Sequence, residues 1–439
     1  MVFFPLQHGL PEEVIPTLQP SQVITQSEVT DQELRAERRV RDAIKASNAK
    51  LQLCWNSTLY HIDDLPFRED LLDMPNVFTP VKKELEAHCS VRFQFREPAH
   101  GEIPKPALPE GVGNAFSWEY EPKLEDIPVE PHVIERAKRQ PPANAVLSYQ
   151  GGETTALNRL KYYTHDTGLV RTYLDTRNGM LGGDYSTKLS AWLSHGCISP
   201  RRVYWEIERF KAQHDMNGQE QKSCYWVVFE LTWRDYFKFL FIRQGNALFW
   251  HNGLLEENQI KWTDDDVMFE AWKNGVTGWP LVDANMRELN HTGFMSNRGR
   301  QNVASYLCLD LNIDWRRGAD YFERMLIDHD VCSNYGNWVG AAGCTGGRIN
   351  RFNLAKQSKQ YDPDGEYIRA WVPELLNVPS EHIHEPWHMP KKVGEQAGCV
   401  VGKDYPIPPK SRFRSNIPKV GYTTIPWRTL SNVPCSVWV

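Results

Sequence analysis

Short apolar runs of strand length open the chain. Val2-Phe-Phe4, Val23-Ile-Thr25 and Leu51-Gln-Leu-Cys-Trp55 read as strands. Between the last two, 30–47 carries a Thr30/Asp31 cap, a charged face and Leu34, Val40 and Ile44 on the opposite side, which predicts an amphipathic helix. These elements make up part of an α/β domain over 1–94. Across 95–150 proline recurs (Pro98, Pro104, Pro106, Pro109, Pro122, Pro128, Pro131, Pro141, Pro142), backbone donors are lost, and a linker without regular structure is expected. From 151 onward the apolar spacing lengthens to three and four residues, as in Tyr225, Val228, Phe229, Thr232, Tyr236 and Phe239. Helices are predicted near 153–164, 199–213, 221–243, 264–274, 281–291, 297–309, 315–326 and 363–376, giving a large all-α domain over 151–409. The weakly patterned 410–439 is expected to be a mobile tail.

Composition narrows the class. A chain of 439 residues can build two or three domains, and its 16 Trp are an unusual enrichment. A net charge of −5 argues against bulk polyanion binding, although a local basic face is compatible with it. Nine scattered cysteines without a C-x-x-C pair fit a reduced intracellular compartment and no metal site. No apolar run reaches the roughly 18 residues of a membrane span, and the start lacks a secretory signal, so a soluble, non-secreted protein is expected.

Candidate chemistry gathers in four places. The stretch 326–338 reads as a polar loop after a buried helix, placing Asp328, Asp330, Cys332, Asn334 and Trp338 close together. It is either an ordinary turn or a loop whose polar groups a ligand satisfies. Asp184-Tyr-Ser-Thr-Lys-Leu-Ser190 follows a Gly-rich turn, and its hydroxyls, N–H groups and Lys188 form an anion site at a helix opening or simply cap that helix. Glu230, Trp233 and Arg234 share one helix face, suited to a flat polar ring or to an internal ion pair. Arg298 and Arg300 stand in the first turn of a helix, where cations are disfavoured, and so call for an anionic partner such as Asp328 or Asp330. Trp262, Trp315 and Trp338 lie at helix edges, where core packing alone would also place them.

Taken together these motifs resemble one family. Thr176-Arg-Asn-Gly-Met-Leu-Gly-Gly-Asp-Tyr-Ser-Thr-Lys-Leu-Ser190, Glu230-Leu-Thr-Trp-Arg-Asp-Tyr-Phe237, Thr292-Gly-Phe-Met-Ser-Asn-Arg-Gly-Arg-Gln301 and Cys332-Ser-Asn-Tyr-Gly-Asn-Trp338 are similar, in order, to the photolyase and cryptochrome flavoproteins, and within them to the DASH-type cryptochromes. The likeness runs from about 151 to 374 and more loosely over 50–80 and 385–408. It implies a doubly wound α/β antenna domain, here an N-terminal remnant, followed by a large all-α domain that binds FAD. Carried over by position, Tyr173, Ser186, Thr187, Lys188 and Ser190 face the phosphates and ribityl chain, with Arg234 in the same cofactor set. Asn297 and Arg300 lie beside the flavin, Arg300 paired with Asp328; Asp330 meets the pyrimidine edge of the ring, and Asn334 its N5. Trp338, Trp315 and Trp262 form an electron path to the surface.

The resemblance further implies blue-light-driven splitting of cyclobutane pyrimidine dimers, mainly in single-stranded DNA, with Glu230, Trp233 and Gln301 on the dimer. RNA is a second candidate partner, and a monomer is expected. The alternative is a blue-light receptor with the same flavin and no repair. Two departures bear on this. The chain begins where the family's third strand would stand, which predicts an antenna domain with open sheet edges and weakened binding of the folate antenna, methenyltetrahydrofolate, with Glu28 its best remaining contact. Val339-Gly340 replaces the family's usual pair after Trp338, which predicts an altered dimer pocket.

Overall fold

A computed structural model describes residues 15–16, 19–45, 47, 49–96, 98–99, 101–102, 123, 125, 129–138, 140–255, 260–345 and 349–409. The strand expected at 2–4 and the tail expected at 410–439 lie outside them. β1 (Gln22–Gln26) and β2 (Lys50–Cys54) pair in parallel, Val23 opposite Leu51, and α1 (Asp31–Lys45) makes the crossover that a parallel pair requires. Ala43 and Ile44 of α1 are buried with Ile15, and Val23, Val40 and Leu51 pack against them, whereas Leu34 is only half-buried. These are the only strands among the described residues. Side chains alternate across a strand, so Ile24 points away from Val23 and is 61% exposed. Among the described residues, that face of the sheet is uncovered.

The rest is helical: α2 (Phe78–His88), α3 (Pro131–Ala137), α4 (Glu153–Lys161), α5 (Tyr173–Thr176), α6 (Ser190–Ser194), α7 (Pro200–Gln213), α8 (Gly218–Gln244), α9 (Asp266–Lys273), α10 (Pro280–Thr292), α11 (Asn297–Ser305), α12 (Trp315–Met325), α13 (Val331–Ala341), α14 (Leu354–Tyr361) and α15 (Glu366–Trp371). Short turns of helix follow to 397. Three of these depart from the expected pattern. α3 interrupts the expected linker, and α14 was not signalled by any periodicity. Most consequentially, 331–341 is helix where a polar loop was expected. Asp330 caps it by accepting the N–H of Ser333 at 2.8 Å. Gly336 lets it press on α8, since a Cβ there would stand 2.3 Å from the Phe237 ring. Tertiary packing thus outweighs the poor helix propensity of Asn334 and Gly336.

α8 is the central element. A capping box at Asn217 and Glu220 starts it, and it runs 27 residues with Leu231, Asp235, Phe239 and Leu240 buried. The main core does not stop at the α/β part: Leu59, Leu71, Met74, Phe78, Val81 and Leu85 share it with the helices. Asp235 fastens this union, accepting the N–H groups of Leu59 at 2.9 Å and Tyr60 at 2.8 Å. Burial pushes its carboxyl up to about 7, against the opposing pull of those two donors. Lys238, one turn on, bonds Glu28 at 2.7 Å and Ser57 at 2.8 Å. Asp235→Ala leaves two buried N–H groups without partners, and about 2–4 kcal/mol of stability should be lost. A lowered denaturant midpoint for the whole chain checks this; an unchanged one would show the tether to be dispensable.

Candidate functional site

Helices α5, α6, α8, α11 and α13 surround a cavity of about 350 Å³ that takes its wall from all four stretches singled out in the sequence. Its polar end is the 185–190 loop. Arg159, buried on α4, organises that loop: its guanidinium donates to the carbonyls of Gly183 at 2.6 Å, Thr187 at 3.0 Å and Ser186 at 3.1 Å, and pairs with Asp184 at 3.2 Å. Leu189, not a hydroxyl residue, occupies the cap position of α6. The hydroxyl residues Ser186, Thr187 and Ser190 therefore line the cavity instead of capping a helix. Lys188 takes a left-handed backbone, φ 60°, and its ammonium sits 2.8 Å from Ser186 Oγ and 3.0 Å from the centre of the Tyr185 ring. Burial, and then Arg159 nearby, hold its pKa well below the usual lysine range. Tyr173 closes this end.

Charge pairs define the opposite wall. Arg300 on α11 donates from Nη2 to Asp328 at 2.7 and 3.0 Å and from Nε to the Met295 carbonyl at 2.9 Å. The cation in the first turn has its anion, as the sequence required. Its neighbour Arg298 is held differently, by Asn178 at 2.8 Å, Gln301 at 2.9 Å and the face of Tyr361 at 4.6 Å. Arg234 lies 3.5 Å from Asp330. Burial would raise the Asp330 carboxyl, but Arg234 and Ser333 outweigh it and leave the group below its ordinary value. Asn334 lines the cavity with its amide anchored, Nδ2 to the Ala319 carbonyl at 3.0 Å. Asn297 and Gln301 complete this side.

Glu230 reaches the cavity and bonds Arg177, a partner 53 positions away. Burial raises its carboxyl above the ordinary value, partly offset by that guanidinium. Trp233 is not among the lining residues; it stacks on Phe78, ring centres 3.6 Å apart. Val339 is fully buried with its side chain toward Gly253, and neither it nor Gly340 lines the cavity.

The tryptophans form a series. Trp338 is in the cavity wall, pressed on α12 where a Cβ at Gly318 would meet its ring at 2.3 Å. Trp315, fully buried, starts that same helix. Trp315 and Trp262 donate their indole N–H groups to one oxygen, the His251 carbonyl, at 3.2 and 3.4 Å. The two nitrogens are no farther apart than the sum of those distances, and Trp262 is partly exposed.

Missed in the sequence were Arg159, Arg177 and Tyr185. An arginine on the apolar face of α4, between Ala156 and Leu160, was the signal for the first. Two observations test whether a flavin fits this cavity. Tyr185 Oη and His329 Nδ1, both in the lining, are buried without a hydrogen-bond partner. The donor set divides into hydroxyls plus a lysine at one end and carboxylates, amides and an indole at the other, as a diphosphate joined to a polar ring requires. Among the described residues no cluster of His, Cys, Asp or Glu could hold a metal, eight cysteines are free thiols, and no helix could cross a membrane.

Known proteins agree. Residues 226–411 match the family described as the FAD binding domain of DNA photolyase, and residues 4–106 match DNA photolyase. The chain is 48% identical over 398 residues to the chloroplastic/mitochondrial cryptochrome DASH of Ostreococcus tauri, covering 88% of this chain and 70% of that one. It is 43% identical over 412 residues to cryptochrome DASH of Danio rerio, covering 92% and 75%. The crystal structure of a Synechocystis cryptochrome superposes with a TM-score of 0.81 at 43% identity, over 92% of this chain and 80% of that one. With its small α/β part, its all-α FAD-binding domain and these relatives, the chain belongs to the photolyase and cryptochrome flavoproteins, in their DASH branch.

Proposed function

We propose that this protein splits cyclobutane pyrimidine dimers in single-stranded DNA, using blue light and reduced FAD. The observation that supports this reading is that Glu230 and Gln301 share one cavity with Asn334 and Trp338, which would set a dimer-binding edge beside an electron path. When bound, reduced FAD supplies the light-driven electron that opens the dimer and accepts it back. The protein orients and shields. Ser186, Thr187, Ser190 and Lys188 hold the phosphates, with Tyr173 beside them, and a phosphate beside Lys188 favours its charged form. Arg300, fixed by Asp328, lies beside the ring together with Asn297; Arg234 and Asp330 meet its polar edge. Asn334, pinned through its Nδ2, has its amide oxygen left to turn toward the ring's N5. Glu230, its carboxyl raised by burial and drawn back by Arg177, hydrogen-bonds the thymine edge. Electrons lost from Trp338 are replaced through Trp315 and Trp262. Single-stranded substrate lowers the unstacking cost of flipping a lesion into the cavity.

One observation favours a second reading, a blue-light receptor without repair: Glu230 is engaged by Arg177, and Trp233 by Phe78. Illuminating flavin-loaded protein with dimer-containing oligothymidine separates them. Recovery of ultraviolet thymine absorbance is expected. Glu230→Ala removes a charge-assisted bond worth about 1.5–3 kcal/mol and should slow repair about tenfold or more. Photoreducible flavin without recovery leaves the receptor; failure to hold flavin sinks both readings. Lys238 already occupies Glu28, which supports weakened folate antenna binding.

A further inference from the structure

Beside the tryptophan series stands a tyrosine whose surroundings suit it to lose an electron and a proton together. Tyr335 lies on α13 one turn before Trp338, and its ring meets Trp315 edge-on, centres 6.2 Å apart at 78°. The ring is 9% exposed and packs on Phe249 at 4.8 Å. Its hydroxyl is the distinctive part. Oη lies 2.9 Å from Asp320 Oδ1 and 3.0 Å from Glu323 Oε2, and can donate its one proton to either. Both carboxylates are on the exposed side of α12, in contact with water that can take up a proton. Burial, and after it the two carboxylates, hold the phenol protonated well above its ordinary range. A phenol gives up an electron more readily than an indole only when its proton can leave with it, and here the base is in place.

Tyr321 provides the contrast. Its ring meets Trp272 at 5.9 Å, and its hydroxyl donates to the Asn290 amide oxygen, which is no base.

We propose that Tyr335 is a redox-active side branch of the tryptophan series: when Trp315 has lost an electron, Tyr335 refills it and becomes a neutral tyrosyl radical. The inference rests on the electron-path reading above. One electron passes from the phenol to the indole radical cation, which returns to neutral tryptophan. At the same time the O–H bond of Tyr335 breaks and a carboxyl O–H bond forms on Asp320 or Glu323. Charge is conserved overall, and the oxidising equivalent is parked on a ring with no net charge. An electron hole stored this way cannot return inward until the proton comes back, so separated charges outlive those of the tryptophans alone.

Flash excitation of the flavin-loaded full chain, followed by transient absorption and by electron paramagnetic resonance with ring-deuterated tyrosine, tests this. An indole radical should form first and convert to a tyrosyl radical whose spectrum narrows on deuteration. In Tyr335→Phe, which keeps the ring packing, the tyrosyl signal should vanish while the indole signal remains. The double variant Asp320→Asn with Glu323→Gln keeps the phenol and should also lose the tyrosyl signal. An indole radical in the wild type with no tyrosyl radical overturns the inference and leaves the electron path intact. A tyrosyl signal that survives in Tyr335→Phe overturns it as well. No indole radical at all, with flavin bound, overturns the electron path and the inference with it.

Discussion

Asp328→Ala is expected to destabilise the protein by about 2–3 kcal/mol and to strip it of flavin during purification. The carboxylate is almost wholly buried, with 2% of its side chain exposed, and both its oxygens take hydrogen bonds from Nη2 of Arg300. Removing it strands a guanidinium whose Nε is already committed to the Met295 carbonyl. Complete burial of that cation would raise the cost further, but 28% of the Arg300 side chain reaches the cavity opening and water screens it there. The effect on flavin should exceed the effect on folding, because an unpaired Arg300 can swing out of the position proposed for it beside the ring. Denaturant titration and the flavin-to-protein absorbance ratio measure the two separately. Asp328→Asn, which preserves shape and one acceptor, should fall between. Full flavin content and an unshifted midpoint in the alanine variant would show that Arg300 needs no partner.

Trp338→Phe should abolish light-driven reduction of bound FAD while leaving flavin content and dark absorbance nearly unchanged. The indole forms part of the cavity wall and packs edge-on against Phe322 at 5.0 Å and Trp272 at 6.2 Å. Phenylalanine fills most of that space at a cost of about 1 kcal/mol. It cannot replace the electron donor, since benzene rings are far harder to oxidise than indoles. Anaerobic illumination with an external reductant, followed by bleaching of the oxidised flavin band, reports the result. Trp315→Phe should behave alike with a smaller loss. Undiminished photoreduction in Trp338→Phe would mean that electrons enter by another route.

What could be read in advance follows a physical line. That Arg300 needs an anion was legible because a cation in a helix's first turn is an anomaly that sequence alone exposes, whereas Asp328 rather than Asp330 came only from the family resemblance. β1, α1 and β2 were legible because local periodicity determines such elements. α13 was not, because Asn334 and Gly336 are poor helix formers and only contact with Phe237 makes the glycine favourable. Arg159 escaped notice, since what buries it is a set of carbonyls from a loop 24 to 28 positions onward. The engagement of Glu230 by Arg177 and of Trp233 by Phe78 depends on chain distances no window spans. Local anomalies survive in sequence; the partners that resolve them are set by folding.

The His251 carbonyl has a further consequence. Because one peptide oxygen faces both outer indoles, its partial negative charge steadies a positive charge on Trp315 and on Trp262 alike. That contribution is common to the two rings and so favours neither. What differs is hydration: Trp315 is sealed from solvent and Trp262 is not. On the proposed path, positive charge would therefore run downhill toward the surface, on a slope set by access to water.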